Sequence, residues 1–336
     1  MSLISDALTA ARTAIILTRR AGLATRGLKS LKQRLRWPLL AVLTPRRSLC
    51  WFAQCARGEL RYAVQVHGYI ALKPLRPYVS MRWNREQRMR VIHDTHRLLF
   101  GSSRVTREAV LSPAGSTLAH MPSPGEAGLE LHLGTDPGMR KEGELLISLR
   151  ETGNTARLAT LALSFEATAA GWRAYIGAIQ GRGNALTAHR RVTRRLHGLR
   201  PAPLLLFVAQ ELVRCLGVSD LLAVGPDIHV HRSKHLLYLG RRHAMHFDYE
   251  RLWREAGGTR AAEGWYRLPV RARRRERTQL PVRKRSQYAR RYRLLDELAA
   301  QMRRTLESAG RSEVAAGGAQ AATVTDTRFL PAPLAS

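Results

Sequence analysis

Four stretches in the middle of the chain alternate apolar and polar side chains, and the links between them are short. They are Leu129–Leu133, Glu144–Leu149, Leu158–Phe165 and Trp172–Ile179. Side chains of a strand point to opposite faces in turn, so a period of two marks strands that lay one face on a core. The links carry turn residues: Asp136-Pro137-Gly138, Gly153-Asn154 and Ala170-Gly171. Parallel strands need a crossover of a dozen residues or more, so links of this kind predict an antiparallel meander.

Beyond the meander the pattern changes. The last strand stops at Gln180-Gly181-Arg182-Gly183-Asn184, where two glycines permit positive φ or close approach of backbone to a ligand. From Ala185 the pattern turns helical and basic through Arg190, Arg191, Arg194 and Arg195, until His197-Gly198. Pro201 and Pro203 suit the first turn of a helix running from Leu204 to Leu216. Val218–Val224 reads as a buried strand, released by Gly225-Pro226. Asp248–Trp253 predicts a further helix, with Asp248 as its cap and Gly257-Gly258 beyond its end. The fold class is therefore α+β: an antiparallel meander followed by helix, strand and helix.

Several of these stretches carry a resemblance. Ile176-Gly-Ala-Ile-Gln-Gly181, Thr193-Arg-Arg-Leu-His-Gly-Leu-Arg-Pro201, Lys141-Glu-Gly-Glu-Leu145, Asp248-Tyr-Glu-Arg-Leu-Trp253 with Gly257-Gly258, and Tyr266-Arg-Leu-Pro269 resemble the bacterial VirK/YbjX family. The match covers roughly residues 40 to 305. The resemblance implies an association with virulence, outer-envelope organisation and resistance to cationic antimicrobial peptides, and no settled reaction.

The order of elements also resembles the acetyltransferase-like (GNAT) fold, in which the turn after the fourth strand binds the pyrophosphate of coenzyme A. Its loose motif is met by Gln180, Gly183 and Ala185. The resemblance implies that Gln180, Gly181, Arg182, Gly183, Asn184 and Ala185 hold the phosphates of an acyl-CoA or of an acyl-phosphopantetheine carrier. A helix N-terminus offers free amides for that purpose. The break at Arg190–Pro201 departs from the single helix of that fold. For a general base on an amine nucleophile the candidates are His229 and Glu166, since histidine titrates near neutrality and burial raises a glutamate toward it.

Other chemistries find less support. Leu186 stands where a dinucleotide fingerprint needs its third glycine, and neither a phosphate loop nor a nucleophile elbow occurs. His229 and His231 with His235 imitate a metal cluster, as a strand would turn the first two to one face. No carboxylate third ligand is evident, although Asp227 is near in sequence, and no metal is expected. Cys50, Cys55 and Cys215 make neither a disulfide framework nor a zinc set, and suit a reducing cytoplasm.

Charge shapes the expected partners. The 336 residues hold 56 Lys and Arg against 25 Asp and Glu, a formal net charge of +31. Such a field favours anionic partners. Residues 1–36 form a basic extension in which Leu3, Ala7, Ala10, Ala14 and Leu17, then Leu28, Leu31 and Leu35, recur at helical spacing. Residues 37–307 are expected to form a single α+β domain, with Ser112–Gly128 a loop and 84–100 a helix. The basic stretch 271–293 leads into a helix Leu294–Leu306, and residues 308–336 form a disordered tail. No run reaches about 18 apolar residues, so a spanning helix is not expected. The expectation is a cytoplasmic protein held peripherally at the inner membrane by an anionic lipid surface and drawing on an acyl carrier. The alternative is a non-enzymatic basic adaptor on anionic membrane or nucleic acid. No motif for sequence-specific base reading is present.

Overall fold

In a computed structural model, residues 3–21, 28–123, 125–181, 186–232 and 248–316 are described. They divide into two compact units: residues 1–76 with 84–89 and 311–336, and residues 77–83 with 90–310.

The first unit is helical. It holds α1 (Leu3–Arg20), α2 (Leu28–Val42), α3 (Pro45–Gln54) and α4 (Gly58–Val66), followed by a 3-10 stretch, Gly68–Leu75. α3 begins where Pro45 occupies the first turn, a position at which a missing N–H costs nothing. The 3-10 stretch is the centre of this unit: Ile70 to Leu75 are all buried. Trp51 donates its indole N–H to the Ala71 carbonyl at 2.8 Å, so the largest side chain here also ties α3 to that centre. α1 turns Asp6, Ala10, Thr13, Ala14, Leu17 and Thr18 inward. Asp6 meets Arg46 Nε at 3.2 Å.

The second unit carries the sheet. α5 (Arg85–Ser102) begins among residues of the first unit, with the Asn84 side chain accepting from the Gln87 amide at 2.8 Å as its cap. α6 (Arg104–Leu111) follows behind a Ser103 capping box. Then come β1 (Ser116–Met121), β2 (Leu129–Gly134), β3 (Leu145–Glu151), β4 (Arg157–Thr168) and β5 (Gly171–Gly181). The chain continues through α7 (Leu186–Arg195), α8 (Pro201–Cys215), β6 (Val218–Val224), α9 (Tyr249–Glu255), β7 (Thr259–Arg260), β8 (Trp265–Leu268) and α10 (Val282–Ala316). The eight described strands form one sheet in the order β1-β2-β3-β4-β5-β6-β8-β7. The fold is α+β, and β2–β5 are the antiparallel meander that the alternation predicts.

Three stretches differ from expectation. Ser112–Gly128, expected as a loop, contains β1, which pairs antiparallel with β2 through a bulge near Thr117. The basic stretch before Leu294 is already helix from Val282, and that helix continues past Ser308 to Ala316. His229 and His231 do not lie on a strand: residues Val230–Arg232 form a 3-10 turn, and the two imidazoles stack at 5.1 Å.

Two features position the site. β5 and β6 run parallel, the only described pair to do so, and their register ends at Ile176–Ala223 although β5 continues to Gly181. A parallel pair requires a crossover, supplied by α7 and α8. α8 packs on β3, β4, β5 and β6 with Leu204–Val213 buried, the apolar run that made it legible. The break between α7 and α8 is held by His197 and Gly198, both at positive φ, and by Arg291 of α10, which donates to the His197 carbonyl at 2.9 Å.

Candidate functional site

The site begins at a bulge. Along the β4–β5 ladder Ala162 pairs with Ala178 and Leu163 with Ile176, so Gly177 is the extra residue. A Cβ at Gly177 would stand 1.8 Å from the Glu142 carbonyl oxygen, backbone against backbone, so only glycine fits. That contact brings the turn before β3 onto β5 and delivers Glu142, 1% exposed, to the place where β5 and β6 part. Residues 77–83 cross the same place: the Val79 amide donates to the Lys141 carbonyl at 2.7 Å and the Met81 amide to Ile228 at 2.8 Å. Val79 is buried with φ 54, a conformation that costs a β-branched residue on the order of 1–3 kcal/mol.

Four side chains meet there. His231 Nε2 lies 2.5 Å from Glu142 Oε1. The His231 amide donates to His229 Nδ1 at 3.2 Å, which places the His229 proton on Nε2. Tyr249, in the first turn of α9, lies tilted beside His229 with ring centroids 5.3 Å apart and donates its hydroxyl to the Ile179 carbonyl at 3.1 Å. One turn on, Trp253 donates its indole N–H to the Val224 carbonyl at 3.0 Å. α9 thus holds the end of β5 with one aromatic side chain and the end of β6 with another. Its start is fixed by Asp248, which accepts from the Arg251 amide at 2.9 Å as expected.

The electrostatics divide these groups by role. Burial opposes ionisation of Glu142, but the hydrogen bond to His231 outweighs it and holds the carboxyl below its usual range. Burial, the largest cause, pushes His229 down to about 4, so its ring is neutral at pH 7. A hydrogen bond from the ring to the Gly177 backbone favours the charged form slightly but does not offset burial. Burial pushes the Tyr249 phenol up, so it stays a donor.

Of the residues named from sequence, His229 lies in this cluster. Glu166, on β4, is buried in another setting: it accepts from the Tyr175 hydroxyl at 2.5 Å and faces Arg90 Nε at 3.6 Å. Beside it Trp83, Tyr175 and Trp265 pack ring on ring at 4.8–5.6 Å. Gln180 and Gly181 end β5 and are exposed, while Arg182, Gly183, Asn184 and Ala185 lie outside the described residues, as does His235. Among the described residues no group of three or more His, Cys, Asp or Glu could hold a metal ion. Glu142 and Tyr249 stood in plain view within the stretches that carry the family resemblance, Lys141–Leu145 and Asp248–Trp253. Nothing local in either motif signals that the fold joins them to His229.

Fold and site together define an α+β protein whose mixed sheet carries a buried carboxylate, paired with a half-buried imidazole, at its parallel seam. The chain belongs to the family described as "Protein of unknown function (DUF535)", whose family model matches residues 26–304. It is 27% identical over 269 residues to the "Uncharacterized protein YbjX" of Escherichia coli (strain K12), an alignment covering 79% of this chain and 80% of that relative. The VirK/YbjX resemblance is thereby borne out. A second relative, an "Uncharacterized protein" of Haemophilus influenzae, is 31% identical over 110 residues, 33% of this chain and 35% of its own. No solved structure matches. Among the described residues no helix is long and apolar enough to cross a membrane.

Proposed function

We propose that the protein transfers an acyl group from a coenzyme A or carrier-protein thioester to an amine of a cell-envelope component, with the chemistry at the Gly177 bulge. The observation that carries this reading is the buried His229 ring, with the Gly177 backbone beside it and His231 and Glu142 behind it, where β5 outruns its parallel neighbour. A preorganised donor in a dry setting is suited to the oxygen of a thioester carbonyl as negative charge gathers on it. His231, 24% exposed on its side chain, is the group that takes the proton of the attacking amine. Glu142 behind it fixes the ring and stabilises the imidazolium that forms, the role a buried carboxylate has beside a catalytic histidine. The amine nitrogen bonds to the acyl carbon, the carbon–sulfur bond breaks, and the proton held on His231 goes to the leaving thiolate. The order of strands and the turn Gln180–Ala185 support a donor site of the acetyltransferase-like kind, with the turn amides on the phosphates.

Calorimetric titration of the full chain with coenzyme A, acetyl-CoA and a long-chain acyl-CoA tests the reading. Binding is expected for at least one thioester and is expected to vanish in Gly183→Val. His229→Asn and Glu142→Gln should still bind, but release thiol more slowly in the presence of an amine acceptor. Absence of binding by every thioester overturns the proposal.

A second reading, a non-enzymatic adaptor, is favoured by Arg283, Lys284, Arg290 and Arg293, which stand exposed along α10. Duplex DNA bound more tightly than anionic lipid at matched salt would favour it.

A further inference from the structure

The amphipathicity of α1 runs opposite to that of a water-facing helix. Its inward side carries Asp6, Thr13 and Thr18 among alanines and Leu17. Its outward side carries Ile4, 73% exposed, Leu8, 67% exposed, and Ile15, residues whose spacing of four and seven puts them on one stripe. α2 repeats the arrangement: Trp37, Leu40 and Ala41 are buried, while Leu35, Leu39 and Val42 form a second exposed stripe at i, i+4 and i+7. α1 and α2 pack directly against each other within the first unit. Single exposed leucines need no explanation, but two stripes on adjacent helices make a surface that water penalises.

The charges around the stripes select the occupant. Residues 1–66 contain twelve Lys and Arg against Asp6 and Glu59 alone. Of the two acids, Asp6 is buried against Arg46. Arg12, Arg19 and Arg20 are exposed on α1 itself. A second copy of this surface would bring like charges together. A sheet of anionic headgroups over hydrocarbon matches both features at once, cations to phosphate and the stripes to the acyl boundary.

We propose that the exposed stripes of α1 and α2 insert into the headgroup–acyl boundary of an anionic bilayer, so that both helices lie in its surface. The proposal rests on observations independent of the acyl-transfer reading. Charge brings the protein to the surface, and the apolar stripes hold it there. Retention therefore outlasts screening by salt, which shortens the reach of charge to about 3 Å at molar strength but leaves apolar burial intact.

Flotation of the full chain with phosphatidylcholine vesicles, alone and mixed with phosphatidylglycerol, tests it. The chain should float with the mixed vesicles and be only partly released by molar salt. The charge-neutral triple exchange Ile4→Gln, Leu8→Gln and Leu39→Gln, checked for fold by circular dichroism, should lower partitioning by about a hundredfold or more. Leu8→Gln alone, at an exposed position, serves if the triple variant misfolds and should cost about tenfold. Four results overturn the proposal: no flotation of the parent chain; complete release by salt; a folded variant that floats as well as its parent; or a parent dimer that the exchanges convert to monomer. No acyl thioester enters the assay, so its outcome is separate from that of donor binding.

Discussion

Acidification offers a direct test of the buried cluster, because His229 should resist protonation in the folded protein and accept it freely once unfolded. Burial places its pKa at about 4, against the usual 6.5. Between these values the unfolded chain binds more protons than the folded one, so stability rises with pH across the window and falls as the solution is acidified. Each pKa unit is worth about 1.4 kcal/mol, so going from pH 7 to pH 4.5 should remove roughly 2–3 kcal/mol through this residue. Below pH 4 the contribution levels off. Three groups face the ring: His231, Glu142 and Tyr249. Glu142 is held below its normal range, so its stabilisation is present above about pH 4.5 and is lost only at lower pH, outside the window. Tyr249 stays protonated throughout. His132, on β2, is also depressed by burial and contributes in the same direction. A variant separates the two: His229→Asn keeps an acceptor for the His231 amide and removes the titration. Urea midpoints at pH 7, 6, 5 and 4.5 should fall less steeply for His229→Asn, by the amount assigned to His229. Equal losses in parent and variant would refute the picture of a buried neutral imidazole.

Other substitutions probe the frame. Gly177→Ala pushes a Cβ into the Glu142 carbonyl, where no side-chain rotation relieves the overlap, and should lower the urea-derived stability by at least about 2 kcal/mol. Trp253→Phe leaves the Val224 carbonyl without its indole donor and should cost about 1–3 kcal/mol in the same assay. Thr95→Val matches the original in shape but deprives the Phe165 amide of the hydroxyl it donates to at 2.7 Å, with an expected loss of about 1–3 kcal/mol. Thr168→Val, at an exposed hydrogen bond to the Gly171 carbonyl, should be nearly neutral by comparison.

The meander was legible because apolar strand-forming runs are separated by turn residues, although β3, β4 and β5 are buried on both faces and keep no strict period of two; α8 was legible because Pro201 and the apolar run to Val213 mark a buried helix. β1 was not, because the prolines, glycines and serines on both sides of Ser116–Met121 dominate its neighbourhood, and its pairing partner lies in β2. The early start of α10 was hidden because its exposed arginines show no apolar period until Tyr288, Arg291 and Tyr292 turn inward from exposed neighbours. Most of the site was visible only in pieces. Lys141–Leu145, Ile176–Gly181 and Asp248–Trp253 are separate motifs in the sequence. In the fold, Glu142, Gly177 and Tyr249 gather around one bulge because a glycine carbonyl contact and two aromatic hydrogen bonds close over long stretches of chain. Side-chain chemistry named His229, but only the fold reveals the burial that keeps its ring neutral.

The way the sheet is assembled gives the molecule an order of construction. From β1 to β5 every strand pairs with its neighbour in the chain, so this half can form by local hairpin closure. The β5–β6 pair closes only after α7 and α8 have been traversed, and β8 then adds to β6. Contacts of longer sequence separation form more slowly and tend to open as a cooperative block. Amide exchange should accordingly protect β3–β5 most and release β6, α9 and β8 together at a lower free energy. That opening separates Tyr249 from Ile179 without unfolding the meander, so the chain completes its site last and gives it up first.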